Sequence, residues 1–350
     1  MLNLINKTPF SAKGKMTQHF QTNRKMWMVA VKATFDLQVD GSLSISENQM
    51  EVLDEPVYFG DENESSLQYE SDLVHPKERI DVILNATGYQ QNDEVGNGLI
   101  VGFVISGLKK FLRIKGDRLW YRLLGIPFTT SPQTFKRQPI RYEYAYGGKD
   151  AKAKLAYHFD FRNTVGTGYS RRAFGVSGKR LPNIEYSKFP AKARFKRNRP
   201  AGFGVIAPHW YPRNRYVGTI DEKWEQERAP LLPDDFSPLY FQCAPEDQQL
   251  DFIDGGEEVI LYNLLPRKME FSFKLPYLSF SFATRIDNSV LNHPGALQTI
   301  IIEPDDNRLI MVWLTKIDCH EKENRIDKTW IECKVSGVKD SAKPLDVYAN

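Results

Sequence analysis

Forty-four Asp and Glu and six His are the first candidates in this chain for acid–base or metal chemistry, and their spacing decides which chemistry is open to them. Adjacent acids stand at Asp234-Asp235, at Asp305-Asp306 and through 251–258. Two carboxyls facing each other across a groove would suit glycoside hydrolysis, one protonating the leaving oxygen and the other acting as nucleophile or base. The plainer reading is acids exposed in turns. The histidines, at 19, 75, 158, 209, 293 and 320, form no H-x-H or H-E-x-x-H arrangement. Cys319-His320 is the tightest ligand pair, and neighbours on a strand point to opposite faces. No nucleophile elbow is present, Gly175-Val176-Ser177-Gly178 lacking the spacing. Gly166-Thr167-Gly168 before Arg171-Arg172, and Gly96-Asn97-Gly98, fall short of a phosphate-binding loop and read as turns. The expectation is a protein with no catalytic residues, no metal and no cofactor.

Charge is nearly balanced overall, at +3, but segregated along the chain. Residues 162–218 carry thirteen Lys and Arg against the single acid Glu185, whereas 219–258 carry twelve acids against Lys223 and Arg228. The two blocks either neutralise one another or present a charged docking surface. Lys192, Arg194, Lys196, Arg197 and Arg199, with Phe195 among them, would face phosphates in isolation. The acidic block downstream argues against nucleic acid. Three cysteines without C-x-x-C spacing fit a reducing compartment. The longest apolar run, 99–108, is far short of the roughly twenty residues that span a bilayer, and no signal-peptide pattern opens the chain. A cytoplasmic protein with no membrane insertion is expected.

The densest segment is 208–249. It holds Trp210, Tyr211, Tyr216, Trp224, Phe236, Tyr240 and Phe241, with prolines at 212, 230, 233 and 238 that restrict regular structure. It is either a packed structural belt or a recognition surface. Trp210, Tyr211, Arg213, Arg215 and Trp224 are the candidate anchors for a partner, since Trp, Tyr and Arg most often dominate interface energies. Asp234, Asp235, Glu246 and Asp247 are the candidate rim or loop-fixing acids.

Period-two alternation dominates the elements that must position these residues. Trp27, Val29, Val31, Ala33, Phe35 and Leu37 alternate with more polar neighbours, and Asp40-Gly41 turns the strand toward Leu43 and Ile45. Ile80, Val82 and Leu84 alternate with Asp81 and Asn85. A second hairpin is expected from 111–115 through Gly116-Asp117 to 118–122. Further strands are expected at 259–264, around 271–275 and 278–282, at 299–303 and 309–316 either side of the turn 304–307, and at 330–335. One helix is expected over 220–228, with Thr219 and Glu222 at capping-box spacing and Pro230 as its stop. The fold class is therefore mainly β, antiparallel sheets packed face to face like a sandwich, with a long irregular middle. Residues 1–335 form one domain or two packed lobes divided near 125, and 336–350 read as a polar tail.

Taken together, several stretches resemble a bacterial family catalogued as a domain of unknown function and encoded beside type VI secretion spike genes. They run in order from the KATF of 32–35 through Glu70-Ser71-Asp72-Leu73, Gly116-Asp117-Arg118-Leu119-Trp120, 142–148 (YEYAYGG), 163–169 (NTVGTGY) and 200–204 (PAGFG). They continue with Trp210-Tyr211-Pro212-Arg213, Gly218-Thr219, Trp224, 232–236 (LPDDF) and 244–249 (APEDQQ), densest between 200 and 276. Ile220 and Gly256-Glu257 depart from the family pattern. The resemblance implies a cytoplasmic adaptor or chaperone that loads an effector toxin onto the VgrG or PAAR tip of the secretion apparatus, and it brings no catalytic residues. A carbohydrate-active hydrolase and a structural part of the spike are the competing readings.

Overall fold

Alternating Trp, Val, Ala and Phe make Lys25–Leu37 a thirteen-residue strand, and its neighbours decide its environment. In the computed structural model, which describes residues 3–22, 24–62, 64–92, 94–150, 158–170, 177–189, 191, 198–319 and 326–339, it lies inside a seven-stranded sheet. The order across that sheet is Gln249–Leu250, Ile80–Leu84, Ala296–Glu303, Arg308–Asp318, Lys25–Leu37 and Ser11–Gln18, with Leu43–Ile45 also paired to the long strand. Ile80–Leu84 and Ala296–Glu303 run parallel, the other pairs antiparallel. A five-stranded sheet holds Ile184–Tyr186, Leu108–Lys115, Gly98–Ile105, Glu258–Leu265 and Lys268–Lys274. A four-stranded sheet holds Asn3–Asn6, Ile326–Ser336, Tyr277–Ile286 and Ser289–Pro294.

The fold is mainly β, built of several antiparallel sheets, with one α-helix among the described residues. One hydrophobic core takes residues from all three large sheets. Phe280 of the four-stranded sheet meets Trp313 of the seven-stranded one at 4.8 Å between ring centres, and Phe10 reaches both Phe35 and Phe280. Strands from either side of residue 125 share the two larger sheets, so the chain interleaves across that point.

Two expectations fail for reasons the sheet order supplies. Lys25–Leu37 and Ile80–Leu84 are covered on both faces, so the residues placed toward water by alternation, Lys32, Thr34 and Asp81, are buried with no accessible surface. The expected 111–115/118–122 hairpin also does not form. Leu108–Lys115 pairs with Gly98–Ile105 across Ser106-Gly107, and Trp120–Leu123 pairs instead with Ile126–Thr129 across Leu124-Gly125. At Gly116 a β-carbon would stand 1.7 Å from the Gln133 carbonyl oxygen, so the chain passes under the 133 backbone there and does not fold back on itself. Residues 304–307 form the expected joint between strands, as a 3-10 turn ending in left-handed Asn307.

Several buried polar groups find partners in the interior. Lys32 Nζ donates to Asp72 at 2.9 Å, and Asp72 also accepts from the Leu53 amide. Trp27 Nε1 donates to Thr329 Oγ1, which bonds Thr284, which bonds His293. Burial pushes the His293 imidazole down to about 4. Burial does the same for His75, packed among Phe20 and Phe241, against a small opposing effect of its bond to the Gln18 carbonyl. Unfolded histidine titrates near 6.5, so between about 6.5 and 4 the unfolded chain binds more protons than the folded one. Stability from these two groups is complete above about pH 6.5 and is lost as pH falls toward 4. Urea midpoints measured from pH 7 to pH 4.5 are expected to fall, and less steeply in His293→Gln; a flat profile would contradict the burial.

Candidate recognition surface

Segment 208–249 winds through short 3-10 turns at Arg213–Val217, Pro238–Phe241 and Glu246–Gln248, with the helix at Glu222–Glu227. Asp221, not Thr219, caps that helix: its carboxylate accepts from the Trp224 amide at 2.8 Å. Thr219 is held instead by Asp235, which accepts from its amide and hydroxyl, both at 2.8 Å. The two-residue shift arises because Asp235 closes the loop 219–235 from its far end. Asp235→Ala is expected to leave the thermal melt almost unchanged and to speed proteolytic nicking between 219 and 235; an unchanged cleavage rate would count against this latch.

The candidate anchors separate into interior and surface. Trp210 is 1 % exposed, edge-on to Tyr142 at 5.4 Å, with Nε1 donating to Thr164 Oγ1. Arg213 is 3 % exposed and donates to Glu70 at 2.6 Å and to the Ile206 and Tyr240 carbonyls. Burial opposes its charge, but Glu70 together with Cys243 and Tyr240 raises its pKa overall. Neither residue has area to offer a partner. Trp224 is half-buried, its Nε1 fixed to the Leu231 carbonyl.

Tyr211 and Arg215 are exposed, and they belong to one group. Arg215 donates to the hydroxyls of Tyr211 at 3.0 Å and Tyr216 at 2.7 Å, with its guanidinium against both rings. On the other side Tyr211 meets the exposed Phe161 edge-on at 5.8 Å, and its amide donates to the Phe161 carbonyl. The result is a row of exposed Phe161, Tyr211 and Arg215 backed by half-buried Tyr216, held by its own contacts.

The acids are engaged individually. Asp234 pairs with Arg228 at 2.6 Å, and exposed Asp247 with buried Lys110 at 2.7 Å. Burial, partly offset by Asp247, lowers Lys110 to about 8. Glu246 is exposed at the start of its 3-10 turn. Of the other paired carboxylates, Asp305 accepts from Tyr89, Asp306 pairs with Arg308, Asp251 with Arg79, and Glu257 accepts from the amides of Asp254 and Gly255. Among the described residues no ion pair joins the basic and acidic blocks; their partners, apart from local pairs, are drawn from outside both. Residues 192–197, 171–176 and His320 lie outside the described residues, as does most of the polar tail, 340–350. Among the described residues no group of three or more His, Cys, Asp and Glu is placed to hold a metal, and no helix is long and apolar enough to cross a membrane.

Two features escaped sequence reasoning. One is a buried ionic knot. Asp81 accepts from the amides of Cys243 and Ala244 and from Gln242 Nε2, and pairs with Lys77 at 2.7 Å. Burial works against the Lys77 ammonium, but Asp81, with Cys243 and Glu70, holds the lysine above its usual range. Burial, and then Asp81, push the Cys243 thiol up. The other is the ribbon of Trp120–Leu123 and Ile126–Thr129, whose Tyr121, Leu123, Leu124, Ile126 and Phe128 are all exposed. The alternation of Tyr121 with Leu123, and of Ile126 with Phe128, around Leu124-Gly125 was the available signal.

The mainly β scaffold thus displays ordered aromatic and Arg side chains, with most of the paired carboxylates tied into the framework. The chain belongs to the family described as uncharacterized protein conserved in bacteria (DUF2169), whose model matches residues 22–314. No curated protein and no solved structure matches it.

Proposed function

We propose that this chain is a cytoplasmic adaptor that binds an effector toxin and the VgrG or PAAR component of a type VI secretion spike, holding the two together before export. The observation that carries the reading is the row of exposed Tyr211 and Arg215 with half-buried Tyr216, on the segment densest in family motifs, continued by exposed Phe161. Planar rings and guanidinium already held in place lose little side-chain freedom on binding, which is how such residues become interface anchors. Segregated charge would steer encounter and reject wrong partners more than set final affinity. Nucleic acid plays no part in this reading. Hydrolysis is less well supported, because Asp234, Asp235, Asp251, Glu257, Asp305 and Asp306 are each held by a different structural partner.

The test is affinity capture of the tagged chain from its native cells, with protein quantification. Enrichment of both a spike component and a toxin is the expected result. Enrichment of neither sinks the proposal. Recovery of the chain in secreted material at equal stoichiometry with the spike would make it a spike part.

A further inference from the structure

We propose that the 120–129 hairpin is a second docking element, one that receives a partner-protein segment apolar on one face and flanked by carboxylates. This deepens the adaptor reading and rests on the chain being a protein-binding module.

The ribbon pairs with no other sheet, and two short strands alone are marginal in water. Its root supplies the stability. Trp120 is buried with Tyr146 and Leu181 and is bonded through its backbone to Lys179 and Gly178, while Leu119 bridges Arg180. Tyr121 pairs with Phe128 and Leu123 with Ile126, so alternation puts these four on one face, opposite Trp120, Arg122 and Pro127. All four are 41 to 59 % exposed, with the Tyr121 and Phe128 rings stacked at 5.7 Å. An ordered apolar face of this kind is left uncovered by the rest of the described fold.

The turn adds a second, independent observation. Leu124 is 95 % exposed and has φ 47°, followed by Gly125 at 83°. Among the described residues every other non-glycine with positive φ is polar: Asn92, Ser106, Asn263, Arg267, Asp287 and Asn307. The same pair of left-handed residues is made by Ser106-Gly107 between the strands 98–105 and 108–115. Left-handed backbone favours Asn or Gly and penalises a residue such as Leu. A strained, fully exposed leucine does nothing for folding, so its contribution lies in contact with something else.

Charge selects the occupant. Residues 118–135 contain no acid, and Arg122 on the ribbon and exposed Arg180 at its root are cationic. A second copy of the chain would set these cations against each other. Four exposed apolar side chains gathered on one face of the ribbon, with Arg122 on the other, suit lateral packing on a protein surface better than insertion of a tip into lipid.

The experiment places a photo-crosslinking phenylalanine analogue at Leu124, and separately at Tyr121, in the full chain in its native cells, with Met269 on a different sheet as control. The expected product is a crosslink to another protein, mapping to an acidic segment with an apolar face and reduced several-fold by Arg180→Glu. Leu124→Asn is expected to raise the melting temperature by about 1–3 °C while lowering the Tyr121 crosslink at least about fivefold, a combination that loss of folding cannot produce. Crosslinks to a second copy, to lipid, to a basic segment, or none above the Met269 control would overturn the proposal. If spike and effector still co-purify at wild-type yield with Leu123, Leu124 and Ile126 all replaced by Ser, the hairpin proposal falls and the adaptor reading survives. If the hairpin crosslinks an acidic protein while affinity capture enriches neither spike component nor toxin, the adaptor reading falls and the hairpin proposal survives.

Discussion

Asp81→Asn is expected to cost about 3–5 kcal/mol of folding stability, because it removes one member of a buried ion pair and leaves the other without a counter-charge. The carboxylate has no accessible surface, and its two oxygens accept from Gln242 Nε2 and the amides of Cys243 and Ala244 besides pairing with Lys77. It thereby ties residues 242–244 to the strand 80–84, next to the Gln249–Leu250 pairing. An amide of the same shape keeps part of this geometry but presents N–H groups toward Lys77, whose ammonium retains Thr299 Oγ1 as a partner. Urea unfolding measures the loss. The paired change Asp81→Leu with Lys77→Met should cost less than the sum of the two single changes, as two apolar groups need no mutual charge. Additive losses, or an Asn variant within about 0.5 kcal/mol of wild type, would show the knot to be dispensable.

Trp210→Ala is expected to cost about 3–5 kcal/mol, the range for deleting a large aromatic from a packed core. The ring is fully enclosed, edge-on to Tyr142, and its Nε1 supplies the Thr164 hydroxyl with a donor. Partner binding should weaken only in proportion to unfolding. Tyr211→Ala with Arg215→Ala should behave in the opposite way, leaving the melt unchanged and weakening the partner complex about tenfold or more, since both side chains already face water. Two neighbours in the sequence, 210 and 211, would then report on the fold and the interface separately. A Trp210→Ala protein that melts normally but has lost its partner would reverse the assignment.

The strands were legible because period-two alternation survives wherever one face is wet. Phe271, Phe273 and Leu275, and Leu278, Phe280 and Phe282, fall where alternation puts them, in Lys268–Lys274 and Tyr277–Ile286 and the residue following the first. Asp81 and Lys32 were not legible as interior residues, since nothing local distinguishes a polar residue facing water from one facing a buried counter-ion. That depends on which strands flank it and on Lys77 and Asp72, which only the tertiary fold brings near. The Gly116-Asp117 turn misled for a related reason: glycine there serves a close passage of the Gln133 backbone. Within 208–249 composition located the segment but could not sort it. Trp210, Arg213 and Phe236 went inward, while Tyr211 and Arg215, of the same residue types, stayed outside.

The central claim is that one molecule of this chain holds a toxin and a spike component at the same time. Native mass spectrometry of the complex captured on the tagged chain tests that most directly. The account predicts a single species whose mass contains all three proteins and which loses a partner in the Tyr211→Ala, Arg215→Ala variant. Binary complexes that exclude each other, or the chain alone, would contradict it.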